Sequence, residues 1–94
     1  MSTELAGLKT VAQIKKYFKG RGHAMVYGNT IIASNRIWND QRCAYDHFAA
    51  IFDILELGNN DAHTPVMVAA ESDEAFTDQG HAFAWAISMI EARN

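Results

Sequence analysis

The sequence predicts one α+β domain over residues 1–94, with helices packed on one face of a small sheet. Three observations predict this class. Apolar residues make up 49% of the chain, which suits one globular core and excludes disorder. Three segments carry apolar residues at helical spacing, and three shorter segments are rich in β-prone residues. The expected order of elements is α-β-β-α-β-α.

The first helix is expected to begin at Glu4 or Thr10 and to end at Lys19. Gly20 follows directly, and glycine is the residue that most often terminates a helix. Apolar positions at helical spacing form the buried side, and these are Val11, Ile14, Tyr17 and Phe18.

A β-hairpin is expected at residues 23–34. Its centre is Gly28-Asn29, and glycine at the first loop position suits a two-residue type II′ turn. This turn sets a register in which Val26 lies opposite Ile31. The second strand can continue as far as Trp38.

A second helix is expected from Asn39, a favourable N-cap, to Gly58. Its apolar side would consist of Ala44, Phe48, Ile51, Phe52 and Leu55. Its solvent side would consist of Arg42, Asp46, Asp53 and Glu56. A turn-rich loop then leads to a short buried strand at residues 66–70.

The last helix is expected to span residues 72–94, capped by Ser72. Its main apolar stripe consists of Phe76, Phe83, Ile87 and Ile90. Phe83 and Ile87 should be among the most buried residues, with Phe48, Phe52 and Val11 packed near them. Trp85 and Met89 widen the apolar surface beyond that of an ordinary helix. Either two copies of the chain pair through Trp85 and Met89, or Trp85 packs against Tyr17 or Trp38 within one chain.

The formal net charge of −3 divides unevenly along the chain. Residues 1–38 hold six cations and one carboxylate, whereas residues 39–94 hold two cations and ten carboxylates. Such asymmetry predicts two surfaces of opposite sign, which can steer charged partners. The alternative is that folding interleaves the halves, so that their fields cancel.

No residue pattern predicts catalysis, a cofactor or a metal ion. Cys43 and His47 are four residues apart on the expected second helix, and Asp78 and His81 are three apart on the last. Zinc sites usually contain two close pairs of Cys or His, so no metal site is expected. A single cysteine with no glycine-rich turn before it is not expected to be a nucleophile. Walker, Rossmann and hydrolase motifs do not occur.

A basic segment at residues 15–23 ends the first helix and enters a glycine turn. Its cations are Lys15, Lys16, Lys19 and Arg21, with His23 at its end. Cations beside flexible backbone suit phosphate recognition, and Tyr17 could stack on a base. The opposing interpretation is a solvated flank at a helix end. The isoelectric point of about 5.7 also disfavours a dedicated nucleic-acid binder.

We therefore expect a non-catalytic protein-binding module that inhibits or regulates a macromolecular partner, such as a phage accessory or anti-defence protein, an antitoxin or an immunity protein. The expected acidic binding surface consists of Asp46, Asp53 and Glu56. The alternative is a nucleic-acid-binding regulator that uses the basic segment. Without a signal peptide or an apolar run of membrane-spanning length, the expected location is the cytoplasm.

Overall fold

The computed structural model describes residues 3–55 and 63–93. These residues form helices α1 (Thr3–Ala6), α2 (Val11–Phe18) and α3 (Gln79–Arg93), and strands β1 (Gly22–Tyr27), β2 (Thr30–Asn39), β3 (Ala44–Ile54) and β4 (Val66–Glu71). The strands make one antiparallel sheet in the order β1-β2-β3-β4, which confirms the α+β class. In these ranges no helix is both long enough and apolar enough to cross a membrane.

Residues 10–38 fold as the sequence predicts. Thr10 caps α2, and its side-chain oxygen accepts a hydrogen bond from the backbone N–H of Gln13. The β1–β2 hairpin has the expected register, with Val26 opposite Ile31. Gly28 has a φ of 62°, which the first position of a type II′ turn requires.

The predicted second helix is wrong, because residues 44–54 form β3; its predicted end at Gly58 lies outside the described residues. This strand pairs with β2 on one side and β4 on the other, and helices cover both of its faces. A strand buried on both faces has a continuous apolar run instead of an alternating one, and residues 48–52 form such a run. The same run also satisfies helical spacing, so periodicity alone could not separate the two structures.

The helices lie on opposite faces of the sheet, whereas the sequence had suggested one face. Alternate side chains of a strand point to opposite faces, and both sets are apolar here. The face toward α2 carries Ile31, Ala33, Ala50 and Phe52. The face toward α3 carries Ile32, Ala49 and Ile51. The sheet is therefore the middle layer of the domain.

Helix α3 begins at Gln79, seven residues later than the cap predicted at Ser72. Ser72 instead extends the sheet: its backbone N–H donates to Ala49 O at 2.8 Å, and its Oγ accepts from Ala49 N at 2.9 Å. Asp78 caps the helix, since its Oδ1 accepts from the backbone N–H of His81 at 2.8 Å. Ser72 therefore forms hydrogen bonds to β3 and does not cap the helix.

The side of α3 that packs on the sheet is also different from the predicted stripe. Ala82, Ala86 and Ile90 are buried, whereas Phe83 and Ile87 are only half-buried. Alanine allows the helix axis to approach the sheet closely, so the larger residues lie along the sides of the contact. The prediction that Phe52 and Val11 pack near Phe83 and Ile87 is wrong, because both are buried on the face of the sheet opposite α3.

Candidate nucleic-acid interface

The basic segment forms the end of α2 and the turn that follows. Lys19 N donates to Lys15 O at 3.2 Å, and Arg21 N donates to Phe18 O at 3.0 Å. Gly20 has a φ of 79°, a backbone conformation that residues other than glycine rarely adopt. The chain can therefore reverse sharply here and leave its cations on the surface.

The cations of the segment divide between two shallow clefts. Lys15, Lys19 and His23 line one of about 200 Å³. Lys16, Tyr17 and Arg21 line the other, of about 410 Å³. In the second cleft the Arg21 guanidinium carbon lies 4.7 Å from the centroid of the Tyr17 ring. The structure thus divides the basic residues that the sequence singled out between two clefts.

None of the four segment cations forms an ion pair with a carboxylate among the side chains that the structure describes. Lys15, Lys16, Lys19 and Arg21 are all exposed. The ion pairs of these ranges lie elsewhere, between Arg42 and Asp46, Arg93 and Asp53, and His81 and Asp78. Cations without local partners leave a positive field at the surface that can attract an anion.

Arg36 of β2 connects the basic segment to the sheet. Its backbone N–H donates to Arg21 O at 2.7 Å, and its Nη2 donates to Gly20 O at 3.1 Å. The second bond fixes the Arg36 guanidinium beside the glycine turn. A fifth cation therefore joins the segment, although it lies fifteen positions beyond Arg21 in sequence.

Strands β2 and β3 continue past the ends of their neighbours. On this side of the sheet the last pair between β1 and β2 is Gly22 with Asn35. The last pair between β4 and β3 is Glu71 with Ala50. We call residues 36–47 the hairpin tip. Beyond those ends the described backbone contacts of the tip are the Arg36–Arg21 hydrogen bond and one β-bridge, between His47 and Phe76.

Trp38 and Tyr45 face each other across the hairpin tip. Their ring centroids lie 5.1 Å apart at an interplanar angle of 78°. The Arg36 guanidinium carbon lies 5.2 Å from the centroid of Tyr45. The Trp38 indole N–H donates to Asp40 Oδ1 at 2.6 Å, and this bond orients the indole. Both residues remain open to solvent, with 52% of Trp38 and 43% of Tyr45 exposed.

Hydrogen bonds hold the turn of the tip in one shape. Asn39 Oδ1 accepts from the backbone N–H groups of Gln41, at 3.0 Å, and Arg42, at 3.3 Å. Arg42 also pairs with Asp46 at 2.7 Å and donates to Tyr45 O at 3.0 Å. The exposed aromatic pair therefore stands on an ordered turn.

The predicted acidic surface does not have the geometry expected of it. Asp46 and Asp53 lie on a strand, seven residues and thus about 23 Å apart, and an odd spacing places them on opposite faces. Each is paired with an arginine, Asp46 with Arg42 and Asp53 with Arg93. Glu56 lies outside the described residues. Partner binding by these carboxylates stays a prediction, without the shared helical arc.

The pairs considered as metal ligands are also rearranged. Cys43 lies in the turn of the tip with a φ of 52°, and His47 lies on β3, so they share no helix face. Asp78 and His81 do contact each other, with 2.9 Å between Oδ2 and Nδ1. The His81 backbone N–H bound to Asp78 lowers the pKa of that carboxyl below its ordinary value. Residues 3–55 and 63–93 contain no group of three or more potential metal ligands.

The surface predicted to pair two copies is partly covered within the chain. Trp85 is half-buried and packs against Phe76, with ring centroids 6.4 Å apart. Phe76 takes the place that Tyr17 or Trp38 was expected to fill. Met89 remains exposed, so pairing through Trp85 and Met89 stays a prediction.

Sequence reasoning missed the aromatic pair and its link to the basic segment. The signal was present in part, because the second strand was expected to reach Trp38. Assigning Tyr45 to a helix then hid the pairing, since only a β2–β3 hairpin places it opposite Trp38.

A comparison with known protein families supplies an independent finding. Residues 5–90 match the family model described as Nucleotide modification associated domain 4. The match extends from α1 into α3 and so includes both the basic segment and the hairpin tip. No curated protein and no solved structure matches the chain.

Proposed function

The chain belongs to the nucleotide modification associated domain 4 family, and from this membership we propose that it is a non-catalytic module that binds nucleic acid. The family description connects the domain with nucleotide modification, a setting in which nucleic acid is the expected partner. The described residues of this chain include exposed cations and aromatic rings, which are the groups that proteins use to bind nucleic acid.

The observation that carries this proposal is the set of exposed cations around the glycine turn. Lys15, Lys16, Lys19 and Arg21 lack ion pairs among the described side chains, and Arg36 is bonded to the same turn. Lysine and arginine neutralise phosphates and release bound counterions, which supplies most of the affinity for a nucleic-acid backbone.

The acidic composition of the chain does not oppose this role. A net charge of −3 is a sum over all residues, whereas a phosphate responds to the field at the place where it binds. Asp46 is paired with Arg42 and Asp53 with Arg93, and neither arginine belongs to the basic segment.

Fluorescence anisotropy with a labelled oligonucleotide of about 12 nucleotides tests the proposal, because sites of this length are typical of small domains. The test variant carries Lys15→Gln and Lys19→Gln, which remove two charges from one cleft. The control is Lys9→Gln, which removes one exposed lysine before the amino end of α2. We expect about ten-fold weaker binding for the double variant and little change for the control.

Equal binding by the wild type and the double variant would contradict the proposal, as would equal losses in the double variant and the Lys9→Gln control. Thermal unfolding of each variant checks that the fold is retained. Exposed substitutions of this type usually change stability by less than about 0.5 kcal/mol.

The competing function is the binding of a protein partner through Asp46 and Asp53. The two carboxylates are divided between faces of β3 and each is held by an arginine, so no described observation favours this function over the first. The same anisotropy experiment separates them, since an inhibitor of this kind should not bind the oligonucleotide at physiological salt.

A further inference from the structure

We propose that Trp38 and Tyr45 at the hairpin tip form a stacking site for an unpaired base of a single-stranded nucleic acid. This inference rests on the proposed function and adds the class of nucleic acid to it. Nucleic acid held only by phosphates can be single- or double-stranded, whereas an aromatic stacking site requires a base whose face is free.

The exposure of the pair is the first argument. Trp38 is 52% exposed and Tyr45 is 43% exposed, although both faces of the sheet carry cores that could cover aromatic rings. The tip extends past the ends of β1 and β4, so neither ring contributes to those cores. An exposed tryptophan beside an exposed tyrosine adds little to stability and is suited to contact with a ligand.

The second argument is that the rings are held in place before any ligand arrives. The indole N–H is bonded to Asp40, and the indole and phenol rings meet at 5.1 Å. Arg36 lies beside Tyr45 and is itself bonded to Gly20 O. Because these contacts restrict the side chains in the free protein, stacking would cost little further conformational entropy.

Charge identifies the chemistry of the ligand. Arg36 contacts both the Tyr45 ring and the carbonyl oxygen of Gly20, so one cation links the aromatic pair to the turn of the basic segment. The nearest carboxylates of the tip are already engaged, Asp40 by the indole N–H and Asp46 by Arg42. A ligand that carries both anionic groups and flat aromatic rings along one chain satisfies this arrangement, and a single-stranded nucleic acid is such a ligand.

The strand itself offers a matched control. Ile37 adjoins Trp38 and has the same exposure of 52%, but it points to the opposite face of the hairpin. A base stacked on Trp38 would not contact Ile37. A protein that docked on the apolar surface of the tip as a whole would contact both.

The test compares three labelled ligands of one length: a single strand, the same strand with abasic sites in place of its bases, and a duplex. We expect the wild type to bind the ordinary strand about ten-fold more tightly than the abasic strand. Trp38→Ala should abolish this preference without weakening abasic or duplex binding, while Trp38→Phe should restore part of it. Ile37→Ala should leave all three affinities unchanged.

Fluorescence reports the contact directly. The chain has two tryptophans, so the Trp85→Phe variant carries Trp38 alone, and its emission should fall when the ordinary strand binds. Three outcomes would overturn the stacking site while leaving the proposed function standing: equal binding of ordinary and abasic strands, equal losses in Ile37→Ala and Trp38→Ala, or unchanged emission. Failure of the wild type to bind any of the three ligands would overturn both.

Discussion

Trp38 of β2 and Tyr45 of β3 lie directly opposite each other, and their rings meet edge to face at 5.1 Å. Cross-strand aromatic pairs contribute to the stability of a hairpin, but this pair is open to solvent and belongs to neither core. Its main effect should therefore be on ligand binding, and its effect on folding should be small.

Trp38→Ala is expected to lower the free energy of unfolding by less than about 1.5 kcal/mol, the upper range for an aromatic pair. Urea denaturation followed by circular dichroism measures this quantity. A loss above about 3 kcal/mol would show that the tip supports the fold. In that case the binding test would rely on Trp38→Phe, because weaker binding by Trp38→Ala could then come from unfolding.

Phe52→Ala should be far more damaging than Phe83→Ala. Phe52 is fully buried and contacts Phe18, with ring centroids 6.2 Å apart, whereas Phe83 lies half-buried along the side of α3. Truncating a buried phenylalanine typically costs about 3–5 kcal/mol, because it leaves a cavity as well as removing apolar contact. Equal losses for the two variants, measured by urea denaturation, would contradict the placement of the cores.

Asp78 should make the stability of α3 depend on pH. Its pKa is lowered in the folded protein by the His81 backbone N–H, so its ionised form stabilises the fold above the unfolded-state pKa. That stabilisation is lost as the pH falls through the folded-state pKa. Asparagine also caps helices but does not titrate. The melting temperature of the wild type relative to Asp78→Asn should therefore fall below about pH 4.

A constant difference in melting temperature between the two proteins from pH 7 to pH 3 would show that Asp78 does not act as a charged cap. The midpoint of the transition should be followed by circular dichroism at a helix wavelength, so that α3 contributes directly to the signal.

Pairing of two copies through Trp85 and Met89 remains a separate prediction. Phe76 covers part of Trp85, while Met89 is left exposed beside it. If a dimer forms here, Met89→Glu should dissociate it, because a charge buried at a symmetric interface meets its own copy. Sedimentation equilibrium at micromolar concentration measures this, and a wild-type mass of 10.4 kDa would rule the dimer out.

The sequence predicted the elements whose signals are local. The Gly28-Asn29 turn determined the hairpin register, and the Thr10 cap and Gly20 delimited α2. The basic segment was also visible, since its cations are adjacent in sequence. These features depend on neighbouring residues and need no knowledge of the rest of the fold.

The elements that were predicted wrongly depend on tertiary context. β3 is apolar at successive positions because helices cover both of its faces, and such a run also fits helical spacing. That one error moved Asp46 and Asp53 onto a false common face and separated Tyr45 from Trp38. The link between Arg36 and the glycine turn was within reach of the sequence, because the predicted hairpin register, continued past Gly22 and Asn35, sets Arg36 opposite Arg21.

The dependence of single-strand affinity on salt tests the central claim most directly. Binding by the four cations of the basic segment predicts a linear plot of log K against log salt concentration, with a slope of about −3, since each neutralised phosphate of a single strand contributes about −0.7. The Lys15→Gln and Lys19→Gln double variant should reduce the slope to about −1.5. A slope near zero, or no measurable binding at low salt, would contradict the account.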